Sequence, residues 1–134
     1  MSAQVSPAAV NTAAWFWALG FIFLWFFVGG LAHFVFTEAQ MRIVPPWVPW
    51  PRAAVLASGV LELMGALGLL VPAWRRVSAW SLFVLTLAVT PANVFMLQQA
   101  HAFSNVPYWA LVARLPLQVV LLVVIGWVAR RSRV

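Results

Sequence analysis

From Trp15 to Phe36 the chain contains no Asp, Glu, Lys or Arg. A helix rises about 1.5 Å per residue and needs roughly 20 apolar residues to cross about 30 Å of hydrocarbon, so this stretch is long enough to span a membrane. Three further apolar runs follow, at about 53–71, 77–97 and 108–128. Of the 134 residues, 65% are hydrophobic and only 7% are charged, against about a quarter charged in ordinary soluble domains. A soluble domain of this size still exposes about a third of its surface, and the polar residues needed to cover it are missing. The expected fold class is all-α: an integral membrane four-helix bundle, with residues 1–134 forming a single membrane domain and the lipid bilayer as its first partner.

The connectors set the expected orientation. Between the first two runs, Thr37 to Pro51 contains Glu38, Arg42 and the prolines Pro45, Pro46, Pro49 and Pro51. Repeated loss of backbone donors forbids a regular helix across this stretch, which reads as a stiff interfacial connector with Trp47 and Trp50 at headgroup level. Pro72-Ala73-Trp74-Arg75-Arg76 makes a short second turn, and Gln98 to Pro107 is a polar third connector. The third run contains Thr90-Pro91-Ala92-Asn93, where a kink is expected. Arg75, Arg76, Arg130, Arg131 and Arg133 fall on one side, and Arg42 and Arg52 on the other. The excess of arginine marks the cytoplasmic side, so both termini are expected in the cytoplasm.

The net charge of +6 arises from arginines that mostly flank apolar runs; this is a membrane pattern rather than a nucleic-acid one, and no nucleic-acid partner is expected. The chain has no cysteine, which excludes disulfides, thiol relays and thiolate metal sites from it. Met1 to Thr12 has no Lys or Arg and so does not read as the start of a cleaved signal. No nucleophile with a base, phosphate-binding glycine loop or paired catalytic carboxylates can be found, so no catalytic residue is assigned.

Polar side chains at membrane depth are costly and need partners or a function. By helical rise, Glu62 lies roughly 13 Å, Gln118 about 15 Å and Arg114 about 9 Å from the extracytoplasmic ends of their runs, with Asn93 and His33 about 5 Å deep. Arg114 and Gln118 are one turn apart and share a face. Pro116 frees the carbonyl of Val112, and Pro91 that of Leu87. Ser58, Gly59, Gly65 and Gly68 around Glu62 permit close helix approach, and Glu62 is expected within reach of Arg114. A structural reading makes Glu62 and Arg114 a register-fixing ion pair, with Asn93 and Gln118 tying off hydrogen bonds. A functional reading makes Glu62, Arg114, Gln118, Asn93 and His33 the lining of a ligand pocket in the extracytoplasmic half, suited to a polar headgroup such as a quinone ring. A bis-His haem or a His33/Glu38/His101 metal site has no recognisable ligand spacing, and neither haem nor metal is expected.

Several motifs in order resemble the DoxX family of small four-helix bacterial membrane proteins. They are Gly30-Leu31-Ala32-His33-Phe34, Ile43-Val44-Pro45 through Pro51, and the stretch from Ser58-Gly59-Val60-Leu61-Glu62 through Gly65 and Gly68 to Pro72. Arg75-Arg76, Pro91-Ala92-Asn93-Val94-Phe95-Met96 and Arg114-Leu115-Pro116-Leu117-Gln118 continue the likeness, which runs from about residue 17 to residue 127. The resemblance implies a multi-pass protein of the bacterial inner membrane, in a family named for a subunit associated with thiosulfate:quinone oxidoreduction. It places that family's intramembrane glutamate on Glu62 and its histidine, asparagine and arginine–proline–leucine–glutamine features on His33, Asn93 and Arg114 to Gln118. The lack of cysteine speaks against a self-contained sulfur-transfer role.

Two functions are expected from this reading. One is a non-catalytic, quinone- or small-molecule-binding subunit of a membrane oxidoreductase complex, with other membrane subunits or further copies of itself as partners. The other is a structural accessory subunit packed on the periphery of a larger membrane complex. Transport is the weaker third reading, because four short helices with few polar groups leave little room for alternating access.

Overall fold

A computed structural model describes residues 7–132. The first residues of the Met1–Thr12 segment, and Arg133 of the basic tail, lie outside the described residues. The described chain forms helices α1 (Pro7–Val35), α2 (Thr37–Met41), α3 (Pro51–Leu70), α4 (Arg75–Gln98) and α5 (Tyr108–Arg131), with a 3₁₀ turn at Ala100–Phe103 between the last two. Within α1 from Asn11, and across α3, α4 and α5, the helices are long and apolar enough to cross a membrane. The four expected runs each fall on one of these helices. Pro91 and Pro116 are carried inside α4 and α5 without ending either helix.

One local expectation is corrected. Thr37 to Pro51 is not helix-free, because Thr37–Met41 makes one short helix before the prolines begin. Phe36 leaves helical geometry at φ −113° and ψ 36°. Thr37 then turns its hydroxyl back to donate to the carbonyls of His33 (2.7 Å) and Phe34 (3.1 Å), which the break at Phe36 leaves without helical donors. The prolines govern only the later part of the connector, from Pro45 onward. Trp50 sits in the left-handed region at φ 50°, and Pro51 then opens α3 at the position where a missing backbone N–H is harmless. Arg52 at the start of α3 donates to Glu38 of α2 at 2.7 Å and straps the connector across the bundle end.

The helices form a ring in which α1 packs on α3, α3 on α4, α4 on α5 and α5 back on α1. Glycines set the two contacts of α3. A Cβ on Gly30 would come within 2.8 Å of Leu63, and one on Gly59 within 2.6 Å of the His33 Cβ. On the opposite side of α3, a Cβ on Gly65 would meet Leu82 at 2.5 Å, and one on Gly68 would strike Ser78. Helix α3 is therefore gripped on both flanks by backbone-to-side-chain contacts that only glycine permits.

Side chains fill the ring unevenly along its length. At the end holding the chain termini, Leu19, Ile22, Phe26, Leu69, Leu82, Leu121, Ile125 and Val128 form one continuous core. Arg75 closes that end by donating to the Leu69 carbonyl at 2.7 Å, while its guanidinium lies 5.2 Å above the Trp15 ring. At the connector end a smaller cluster of Met96, Phe103 and Leu111 packs with Ile43 and Val106. Outward-facing Trp17, Met64, Val84, Val119 and Val123 are all exposed, an apolar surface far larger than monomeric soluble proteins present.

The glycine grip gives a direct test. Gly59→Ala should lower the stability of the detergent-solubilised protein by about 1–3 kcal/mol through overpacking against His33. Gly20→Ala, where a Cβ meets nothing within 4 Å, should be neutral or slightly stabilising, by up to about 1 kcal/mol from helix propensity. Thermal unfolding followed by circular dichroism distinguishes the two.

Candidate functional site

Between the large core and the small connector-end cluster the bundle is hollow. The cavity has a volume of about 940 Å³, and all five sequence-nominated residues, His33, Glu62, Asn93, Arg114 and Gln118, line it. Its roof comes from the connector, including Ile43, Val44, Pro45 and Trp47, and from Phe103 and Val106 after α4. Exposed Leu24, Trp25 and Val28 of α1 and Leu117 of α5 also line it, so it opens sideways between α1 and α5.

The polar groups fall into two pairs on opposite halves of the ring. On the α1–α3 side, His33 Nδ1 lies 2.9 Å from the Val55 carbonyl and His33 Nε2 lies 3.2 Å from Glu62 Oε1. A carbonyl can only accept, so Nδ1 carries a proton. The other contact then needs a proton on either Nε2 or the carboxyl, since two lone pairs would repel at that distance. In both arrangements the pair is neutral overall. The second carboxyl oxygen, Glu62 Oε2, lies where a side chain on Gly29 would be, 2.8 Å from the position of its Cβ. Gly29 is thus the seat of the carboxylate.

On the α4–α5 side, Asn93 Nδ2 donates to Gln118 Oε1 at 2.6 Å, and Gln118 Nε2 donates to the Thr86 carbonyl at 2.8 Å and to the Thr90 hydroxyl. Thr90 in turn donates to the Thr86 carbonyl at 3.1 Å. Pro91 offers no N–H to the preceding turn, and the Gln118 amide ties into this weakened stretch of α4. The acceptor is the carbonyl of Thr86, one residue before the Leu87 carbonyl that the proline frees.

The expected meeting of Glu62 with Arg114 is corrected. Glu62 is paired with His33, and Arg114 Nη1 donates to the Met96 sulfur at 2.9 Å. The reason is positional: the glycine contact at Gly29, Gly30 and Gly59 brings α1 onto the Glu62 face of α3, and α5 does not pack there. Among the described residues no three His, Asp or Glu side chains gather to hold a metal. The members of the His33/Glu38/His101 grouping are apart in role, with His33 on Glu62, Glu38 on Arg52 and His101 exposed in the 3₁₀ turn.

Counting donors and acceptors separates the lining groups further. Both nitrogens of His33 are engaged, and so are both Nε2 hydrogens and the oxygen of Gln118. Those two residues hold others in place. The groups left with capacity for a ligand are Glu62 Oε2, the remaining N–H and the oxygen of Asn93, and most of the Arg114 guanidinium.

A family model described as "Domain of unknown function (DUF8561)" matches residues 22–130. The chain belongs to this family. No curated protein and no solved structure matches it. The DUF8561 match covers every polar residue of the cavity, the whole connector and the later half of α1.

Sequence reasoning nominated the charged and amide side chains but missed Gly29, Thr86, Thr90 and Met96, and it did not give the connector its role as roof. Thr86 and Thr90 carry a legible signal: with Pro91 they stand one turn apart on α4, where a proline weakens the ladder. Gly29 had no such signal beyond being a second glycine beside Gly30.

The neutral pair predicts its own coupling. In a cycle of His33→Leu, Glu62→Leu and the double variant, each single change strands a polar partner, so the double variant should be more stable than additivity predicts by roughly 1–3 kcal/mol. Chemical unfolding in mild detergent measures this, and additive behaviour would remove the pair as an energetic unit.

Proposed function

We propose that this protein is a non-catalytic, ligand-binding subunit of a bacterial inner-membrane oxidoreductase complex. It crosses the membrane four times with both termini in the cytoplasm, and it takes a quinone or another amphiphilic small molecule into the cavity below the connector. One observation carries the reading: a hollow of about 940 Å³ sits between two apolar clusters and is lined by His33, Glu62, Asn93, Arg114 and Gln118. Pockets for small molecules are mostly apolar with a few convergent polar groups and have volumes in this range. The sideways opening between α1 and α5 suits a ligand that arrives through the lipid. Leu24, Trp25 and Leu117 at that opening are exposed and apolar.

Orientation is supported by the arginines, since Arg75, Arg76, Arg130 and Arg131 gather at the end of the bundle opposite Arg42 and Arg52. The DoxX resemblance of the ordered motifs supports the bacterial inner membrane and the oxidoreductase setting. A peripheral accessory role remains the competing reading, and the exposed apolar surface of Trp17, Trp74 and Trp109 would serve it.

Absence of cysteine makes topology easy to test. Ser104→Cys, beside the 3₁₀ turn, should react with a membrane-impermeant maleimide in spheroplasts, whereas Ala73→Cys, in the α3–α4 turn, should react only after permeabilisation. The reverse pattern would invert the orientation. Ligand binding is tested by gentle purification with native mass spectrometry and a titration with a short-chain quinone. Wild type should retain or bind ligand at one site, and Glu62→Gln with Arg114→Leu should weaken binding about tenfold or more, the scale of losing one charged hydrogen bond. Unchanged binding in that double variant would end the pocket reading in favour of the accessory one.

A further inference from the structure

The charges that line the cavity do not balance. Of the two acidic side chains in the protein, Glu38 lies against Arg52 at 2.7 Å and Glu62 lies against His33 in a pair that is neutral overall. Two arginines also line the cavity: Arg114 in its wall and Arg42 in its roof. Neither has a carboxylate within ion-pair distance among the described residues. The one hydrogen bond of the Arg114 guanidinium goes to a thioether, which carries no charge. Arg114 lies in the second turn of α5, within a stretch long and apolar enough to cross a membrane, where a cation without a counter-ion is costly and marks a functional position.

We propose that the cavity selects an amphiphile with an acidic head. This deepens the ligand-binding reading above and rests on it. The guanidinium of Arg114 takes the head as a planar, two-pronged donor, a geometry that matches a carboxylate or a phosphate. The free N–H of Asn93 is a further donor in the wall, oriented by Gln118, and Arg42 adds positive charge at the roof. The tail leaves through the opening between α1 and α5, along Leu24, Trp25, Val28 and Leu117. His33 matters indirectly, because by neutralising Glu62 it removes the one charge that would repel an anionic head.

The test uses the full chain in phosphatidylcholine nanodiscs, with quenching of tryptophan fluorescence by dibrominated stearate as the readout, since Trp25 lies in the cavity lining. The acid should quench saturably at a concentration about tenfold lower than its methyl ester, the scale of one charged hydrogen-bonded contact. Arg114→Gln should abolish that preference by weakening the acid much more than the ester, and Arg114→Lys, which keeps the charge, should retain most of it. Competition then separates the sources of the acidic group. Displacement by palmitate at lower concentration than lysophosphatidic acid assigns a carboxylate, and the reverse order assigns a phosphate. Displacement by inorganic phosphate as effective as by either would overturn the amphiphile. Equal saturable binding of acid and ester by the wild type, or equal weakening of both by Arg114→Gln, would overturn the acidic head while leaving a neutral-ligand pocket in place. No saturable quenching by acid, ester or a short-chain quinone would remove both readings.

Discussion

A carboxyl group on the middle of an apolar helix has to be given a partner, and the way Glu62 receives one organises much of this bundle. The partner is a histidine on the neighbouring helix, and it is reached only because that helix can come very close. Gly30 and Gly59 remove the side chains that would hold α1 and α3 apart, and Gly29 leaves room for the second carboxyl oxygen. His33 then bridges outward from α1 to both Glu62 and the Val55 carbonyl, so one imidazole fixes the rotation and the height of α1 against α3. Any loosening of that contact would leave a buried polar group unsatisfied as well as a void, which is why glycine and ion-pair effects at this position should be strongly coupled.

The same constraint, applied on the other half of the ring, produces a different solution. Pro91 interrupts the hydrogen-bond ladder of α4 at the depth where α5 carries Gln118. The amide of Gln118 reaches across to the Thr86 carbonyl and the Thr90 hydroxyl, while its oxygen accepts from Asn93. Two polar ties therefore brace the connector-end half of the bundle, α1 to α3 and α4 to α5, while hydrophobic packing capped by Arg75 holds the half near the termini. The hollow lies at the level of those ties. Polar pairs set helices at fixed positions without filling the space between them, whereas interdigitated Leu, Ile and Phe side chains do fill it.

How much of this could be read from the chain depends on which physical signal each feature leaves. Long apolar runs are legible because lipid imposes length and composition on every residue of a spanning helix, and the four helices fall where hydropathy puts them. The candidate residues were legible for the converse reason: a charge or an amide within such a run stands out. Partner choice was not legible. Glu62 and Arg114 are the obvious opposite charges, yet pairing is decided by which helix faces touch, and that is set by Gly29, Gly30 and Gly59, which one sequence shows only as generic small residues. The short α2 was obscured because the prolines after it dominate the segment, although none lies within Thr37–Met41.

That choice of partner has a consequence for the chemistry of the hollow. Had Glu62 met Arg114, the lining would have carried a compensated ion pair and little net field, with Arg42 alone at the roof. With Glu62 neutralised by His33 instead, the uncompensated charges of the lining are those of two arginines, both of which remain partly exposed. Arg114 is also held by a soft contact to Met96, which orients the guanidinium without neutralising it. A guanidinium left without a counter-ion keeps most of its donors available. The glycines between α1 and α3 thus bear on the charge of the hollow at a distance, by deciding which of two basic side chains Glu62 can reach.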